Sequence, residues 1–118
     1  MGINISKLTA ISGFIGGCIV DSDTGLMLAS EGDGKQLDME TTGAADCEVV
    51  KAKLNLIEML GLDDSIEDLL ITLGKQYHLI RPLEKSPAVF IYVALDRKTT
   101  NLGLARMQVK AVEATLSL

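Results

Sequence analysis

A single histidine limits the acid–base chemistry that this sequence could perform. A nucleophilic serine, cysteine or threonine needs a base to activate it, and His78 is the only histidine in the 118 residues. It lies in a strand-like run, opposite Ile71 in the most consistent hairpin register, where a histidine is more often a packing or surface residue than a catalyst. The sequence therefore predicts no catalytic residue and a protein that is not an enzyme.

Acidic residues, cysteines and glycines also fail to form a known ligand-binding pattern. Asp21 and Asp23 resemble the start of a calcium-binding loop, but position twelve of that loop is Gly32 instead of a glutamate. Cys18 and Cys47 lie inside apolar segments without metal-ligand or redox-motif spacing, so we interpret them as buried free thiols. No dinucleotide-binding or P-loop pattern occurs. We therefore expect no metal and no cofactor.

Composition favours association over nucleic-acid binding. The formal net charge is −5, and the eleven lysine and arginine residues form no basic cluster that could neutralise phosphates. Hydrophobic residues make up 47% of the chain and aromatic residues only 3%, so the core must be aliphatic. The longest apolar run, residues 88–95, is far shorter than the roughly 20 residues of a membrane span. We expect one domain, residues 1–118, with part of its apolar surface buried between subunits.

Apolar periodicity predicts the order of helices and strands. Helical spacing occurs at 4–12, 44–60 and 101–118, and strand-like runs occur at 14–20, 26–30, 65–73, 76–83 and 89–95. The loop at residues 74–75 suits a type II′ turn, which would align Leu70 with Leu79 and Asp68 with Arg81. The alternation of both element types predicts an α/β protein.

The predicted middle helix has two apolar stripes and a polar face. One stripe contains Ala45, Val49, Ala52, Leu56, Met59 and Leu60. The other contains Cys47, Val50, Leu54 and Ile57. The polar face carries Glu48, Lys51, Asn55 and Glu58. A surface helix of a monomer needs only one apolar stripe, so the second favours a partner. Pattern alone leaves open which stripe faces inward.

A strand without charge or proline is a second reason to expect association. The uncharged run consists of Leu69, Leu70, Ile71, Thr72 and Leu73. At a sheet edge, its unpaired backbone would recruit another strand. Pairing with its own copy across a two-fold axis would satisfy the backbone and bring a second middle helix alongside the first. The sequence therefore predicts a homodimer.

The N-terminus is consistent with a cytoplasmic protein. Gly2 matches a formal myristoylation template, but one acyl chain anchors weakly without a basic patch, and we favour a plain first helix capped by Asn4. No charged segment followed by an apolar segment is present, so a secretory signal is not indicated.

Five segments together resemble the roadblock domain, a family that includes dynein light chains. Residues 16–29 resemble its first hairpin, in which an apolar strand ends in an Asp-x-x-Gly-type turn before an apolar return strand. The second half of the domain is similar to the runs at 66–72, 77–83, 90–95 and 101–106. The likeness covers nearly the whole chain, and the order of the segments is more specific than any one of them.

The resemblance implies a fold and a function. The fold would be a five-stranded antiparallel sheet between a long middle helix on one face and the N- and C-terminal helices on the other. Roadblock domains typically form dimers through edge strands and middle helices, and regulate or scaffold Ras-like small GTPases without donating catalytic groups. The bacterial members most similar in plan accompany small GTPases in motility or polarity systems.

Carried onto this sequence, the resemblance implies two surfaces. The dimer contacts would be Leu69, Leu70, Ile71, Thr72, Leu73, Cys47, Val50, Leu54 and Ile57. Together with the edge-strand argument, the resemblance thus assigns the first apolar stripe of the middle helix to its own sheet and the second to a twin. The GTPase-facing surface would be Glu48, Lys51, Asn55 and Glu58. An alternative function is a structural light chain or scaffold that binds an extended peptide at an open strand edge. A small-ligand function would require a deep polar pocket around His78 and Arg81.

Overall fold

The computed structural model describes residues 3–32, 34–35 and 37–116. Gly2 of the acylation template and the last two residues of the predicted C-terminal helix lie outside the described residues. The elements are a short 3-10 helix at Ser6–Ala10, then β1 (Phe14–Asp21), β2 (Leu26–Gly32), α1 (Met39–Met59), β3 (Leu69–Thr72), β4 (Gln76–Pro82), β5 (Val89–Asp96) and α2 (Leu102–Ala114). The predicted order of elements is therefore confirmed.

The strands form one antiparallel sheet in the order β2-β1-β5-β4-β3. β3 lies at the edge, and the predicted pairings of Leu70 with Leu79 and of Ile71 with His78 are confirmed. The type II′ turn is wrong, because Gly74 is not among the glycines with a positive φ. A register shift in β1 between Phe14 and Gly16 interrupts its pairing with β5.

Strand β5 shows how the sheet supports a core on each face. Ile91, Val93 and Leu95 pack in one cluster with residues of the 3-10 helix and α2. The alternate residues Phe90 and Tyr92 pack in the other cluster with residues of α1. All five are almost completely buried, as expected for a central strand whose side chains alternate between two covered faces.

Helix α1 begins five residues earlier than the periodicity of its apolar residues indicates. Asp38 caps it: the backbone N–H of Glu40 donates to Asp38 Oδ1 at 3.1 Å, and the hydroxyl of Thr41 donates to Asp38 Oδ2 at 2.9 Å. The extra turn places Met39 and Gly43 on the sheet, where both are buried. The predicted start at residue 44 omitted both contacts.

Gly43 sets the distance between α1 and the sheet. A Cβ atom at this position would lie 2.9 Å from Val20 Cγ2 and 3.4 Å from Cys18 Sγ. Val20 is β-branched and buried, so its side chain has little freedom to move away. Only glycine therefore lets the helix pack this closely on β1.

We expect Gly43→Ala to lower the free energy of unfolding by about 1–2 kcal/mol, because crowding of the core outweighs the gain in helix propensity. Gly103→Ala is the matched control in α2: the nearest atom to its added Cβ, Asn101 Oδ1, lies 3.7 Å away. We expect that variant to be unchanged or stabilised by up to about 1 kcal/mol. Urea unfolding of both variants measures the difference, and equal stabilisation of the two would contradict the packing constraint at Gly43.

Candidate functional site

The outer edge of β3 exposes backbone groups without a charged or proline residue to block them. The N–H of Leu73 donates to the carbonyl of Gln76 at 2.8 Å. Backbone groups alternate in direction along a strand, so those of Leu69 and Ile71 also point toward β4. The N–H groups of Leu70 and Thr72 therefore point to the open side. Ile71 and Leu73 are exposed beside them. This edge has the properties of a strand-pairing surface.

The opposite edge, β2, is less suited to pairing with another strand. Leu26, Met27 and Leu28 are exposed there, but the register with β1 shifts between Ile19 and Val20. A bulge of this kind bends and twists a strand and is one of the ways in which sheet edges avoid association. β3, which pairs without a shift, is the more regular edge.

The assignment of the two stripes on α1 is wrong and must be reversed. Cys47 is 4% exposed and Val50 0%, and both belong to the cluster between α1 and the sheet. Leu54 packs against the same cluster, and Ile57 is half-buried. Once α1 starts at Met39, this stripe is extended N-terminally by two more inward residues, Met39 and Gly43.

The other stripe is the one that faces solvent. Val49 is 36% exposed and Leu56 is 41% exposed, and Met59 and Leu60 are exposed still more. Ala45 and Ala52 are also exposed. The helix therefore carries an outer apolar stripe, which we define as Ala45, Val49, Ala52, Leu56, Met59 and Leu60.

The predicted polar face of α1 is on the surface. Glu48, Lys51, Asn55 and Glu58 are all exposed. Their side chains are accessible to another protein, but exposure alone is equally expected of a solvated helix face.

A group of polar side chains is enclosed between α1 and the sheet. Asp46 Oδ2 and the Tyr92 hydroxyl are buried without a hydrogen-bond partner among the described residues. Burial raises the pKa of Asp46 from 3.8 to about 6. Burial, and then the charge of Asp46, also raise the pKa of Tyr92 and that of Cys18, the latter to about 12. Cys18 is therefore protonated and poorly nucleophilic at neutral pH.

His78 is half-buried and packs on the same group. Its Nε2 lies 2.8 Å from Gln76 Oε1, and its ring and that of Tyr92 are nearly perpendicular, with centroids 5.4 Å apart. Burial lowers the pKa of His78. Within the part of the chain that the structure describes, no group of three histidine, cysteine, aspartate or glutamate residues could hold a metal ion.

Asp68 and Arg81, on the α2 side of the sheet, each pair with a charged residue of α2. Arg81 Nε donates to Glu113 Oε1, and Arg106 Nη2 donates to Asp68 Oδ1 at 3.1 Å. The predicted pairing of Asp68 with Arg81 is therefore wrong, because β3 begins only at Leu69 and α2 supplies a nearer partner for each charge. Arg81 lines two concave regions, of about 720 and 320 Å³, and His78 lines neither of them.

No protein-family model matches this sequence, and no curated protein matches it. Solved structures do match its fold. Myxococcus xanthus MglB has a TM-score of 0.80 at 20% identity, with 92% of this chain and 85% of that chain covered. A Roadblock/LC7 domain from Streptomyces avermitilis has a TM-score of 0.78 at 8% identity, with 92% and 87% covered. The gliding protein MglB from Thermus thermophilus has a TM-score of 0.78 at 14% identity, with 95% and 82% covered.

The chain has the roadblock-type fold. The resemblance inferred from the sequence is thus confirmed at the level of architecture. In this roadblock-type fold, the exposed β3 edge and the outer apolar stripe are the candidate self-association surfaces, and the polar face of α1 is the candidate partner surface. No helix among the described residues has the length and apolar character needed to cross a membrane.

The buried carboxyl group of Asp46 predicts a pH-dependent stability. Because its pKa is higher in the folded state, the folded chain binds more protons between about pH 4 and 6, and stability falls as pH rises through this window. We expect Asp46→Asn to raise the free energy of unfolding at pH 7 by about 1 kcal/mol, after discounting for partial solvent screening.

Urea unfolding at pH 4, 5, 6 and 7 tests the effect of Asp46. The gain from Asp46→Asn should shrink toward pH 4. Asp23→Asn, in the exposed hairpin turn, removes the same charge and is the matched control. A gain of the same size at every pH would show that the effect of the variant is unrelated to the buried charge.

Proposed function

We propose that this chain is a non-catalytic homodimeric adaptor that binds and regulates a Ras-like small GTPase. The observation that carries the proposal is the open, uncharged edge of β3 on a sheet whose α1 also presents an outer apolar stripe. Its roadblock-type fold, similar to that of MglB, supports the regulatory role. Its two free cysteines agree with a reducing cytoplasm.

The dimer would join the two β3 strands into one sheet. The outward N–H groups of Leu70 and Thr72 provide donors for the ladder, and Ile71 lies on the α1 side, because it pairs with His78, which packs on Tyr92. Joining the sheets would bring the two outer apolar stripes together and remove them from water. The sequence predicts dimer contacts at Cys47 and Val50, but the fold buries both side chains. In this proposal the outer apolar stripe provides the helix contacts of the dimer instead.

The GTPase-binding surface in this proposal is the polar face of α1. Glu48, Lys51, Asn55 and Glu58 follow one another at helical spacing, so they form a continuous exposed strip. In a dimer two such strips would lie near each other. In this proposal the chain acts by binding and rearranging its partner, as its resemblance to roadblock domains implies.

Thr72→Pro tests the dimer without breaking the hairpin within the subunit. Proline removes the outward N–H of Thr72 but not the bonds that join β3 to β4. We expect the variant to be a folded monomer in sedimentation equilibrium at concentrations where the unaltered chain is a dimer. Thr72→Ala keeps the N–H and should remain dimeric. A wild-type chain that is monomeric at all concentrations would refute the homodimer.

Reversal of charge at Lys51 tests the partner surface. We expect Lys51→Glu to weaken binding of a Ras-like GTPase from the same organism by about tenfold, through loss of one favourable charge contact and gain of a repulsive one. Calorimetry with the GTPase in its GDP-bound and GTP-analogue-bound states measures both affinity and nucleotide dependence. Lys7→Glu, on the exposed 3-10 helix, is the matched control and should have no effect.

A second candidate function is a light chain or scaffold subunit that binds an extended peptide. The same outward N–H groups of β3 would pair with a peptide strand as readily as with a second copy. Affinity capture separates the two functions: recovery of a Ras-like GTPase favours the adaptor, and recovery of a motor or scaffold chain at the β3 edge favours the light chain.

A further inference from the structure

A groove lies where the C-terminal end of α1 approaches the end of β4. Its volume is about 720 Å³, within the range of sites that bind ligands or peptide side chains. Residues 62–67, which connect α1 to β3, form one wall. We call it the terminal groove. Its apolar surface includes Leu54, Ile57, Ile66 and Leu83.

The rim of the terminal groove is predominantly acidic. Glu58, Asp64, Glu67 and Glu84 line it, against the two cations Arg81 and Lys110. The charge of Arg81 is already matched, because its Nε donates to Glu113 and its Nη1 lies 3.5 Å from the carbonyl oxygen of Glu67. The carboxylate rim therefore exceeds the available positive charge.

Glu67 is one of the exposed anions of the groove. Its side chain is 77% exposed, and its Oε1 lies 4.0 Å from Arg81 Nη1, too far for a hydrogen bond. Glu113, by contrast, is held on both oxygens, by Arg81 and by the backbone N–H of Glu84 at 2.8 Å. Glu67 thus has the capacity to accept bonds from an incoming cation.

The terminal groove and the outer apolar stripe lie on different faces of α1. Glu58 in the groove is two residues from Leu56 in the stripe, which places their side chains about 160° apart around the helix axis. A protein bound to the outer apolar stripe would therefore contact a different surface from a peptide bound in the terminal groove.

We propose that the terminal groove binds a basic, amphipathic peptide segment of a partner protein. An apolar side chain of that segment would cover Leu54, Ile57 and Ile66, and an adjacent lysine or arginine would lie against Glu67 and Asp64. Apolar burial gives the affinity, and the acidic rim selects a basic segment over an acidic one. The inference does not depend on the GTPase or on the dimer.

The test uses two labelled six-residue peptides, one alternating leucine with lysine and the other alternating leucine with glutamate. We expect fluorescence anisotropy of the full chain to give at least tenfold tighter binding of the lysine peptide, with the difference reduced by salt. Glu67→Gln should weaken binding of that peptide several-fold. Glu40→Gln, an equal change of charge at the exposed start of α1, should not.

Amide chemical shifts of the isotope-labelled chain show where the lysine peptide binds. Changes centred on Ile66, Leu83 and Glu84 would support the proposal. Changes confined to β3 or to the outer apolar stripe would overturn it, as would equal affinity for the two peptides or no binding of either. If Glu67→Gln instead alters the monomer–dimer equilibrium and no peptide binds, the groove is a contact between copies of this chain and the proposal is wrong.

Discussion

The close approach of α1 to β1 at Gly43 is the constraint on which the rest of the structure depends. With no Cβ in the way, the helix lies near enough for Met39, Cys47 and Val50 to reach the sheet and close the core on that face. The same contact fixes how the helix is rotated about its axis. The outer apolar stripe is exposed because the inner stripe is held against Val20 and Cys18.

The sequence contained enough information for the sheet but not for the orientation of the helix. The unbroken apolar run at residues 88–95 predicts a central strand, because such a strand is covered on both faces, and the two-residue loop predicts the β3–β4 register. The predicted orientation of α1 is wrong because a glycine contributes nothing to the hydropathy pattern. The hydropathy pattern places Gly43 on neither stripe, although a Cβ atom at this position would lie only 2.9 Å from Val20 Cγ2.

Contacts with α2 explain why the predicted ion pair between Asp68 and Arg81 differs from the ion pairs in the structure. Asp68 and Arg81 are plausible neighbours in an isolated hairpin, but α2 brings Arg106 and Glu113 to the same face, and each charge pairs there. The local sequence of a hairpin does not indicate that a helix about thirty residues later will supply the ion-pair partners. One side of the sheet consequently has its charges paired within the subunit, whereas α1 keeps its outer charges available to other molecules.

Because only alternate residues of β3 direct their backbone groups outward, the strands of a dimer would set the alignment of the two copies more than the affinity between them. Only Leu70 and Thr72 direct backbone groups outward, so a two-fold ladder would contain roughly four hydrogen bonds. At about 1 kcal/mol each, these correspond only to a millimolar dissociation constant. The strands would then fix the alignment of the two copies, and a lasting complex would require the apolar area of the outer stripe. Regulation of assembly could therefore act on the helix without changing the alignment that the strands impose.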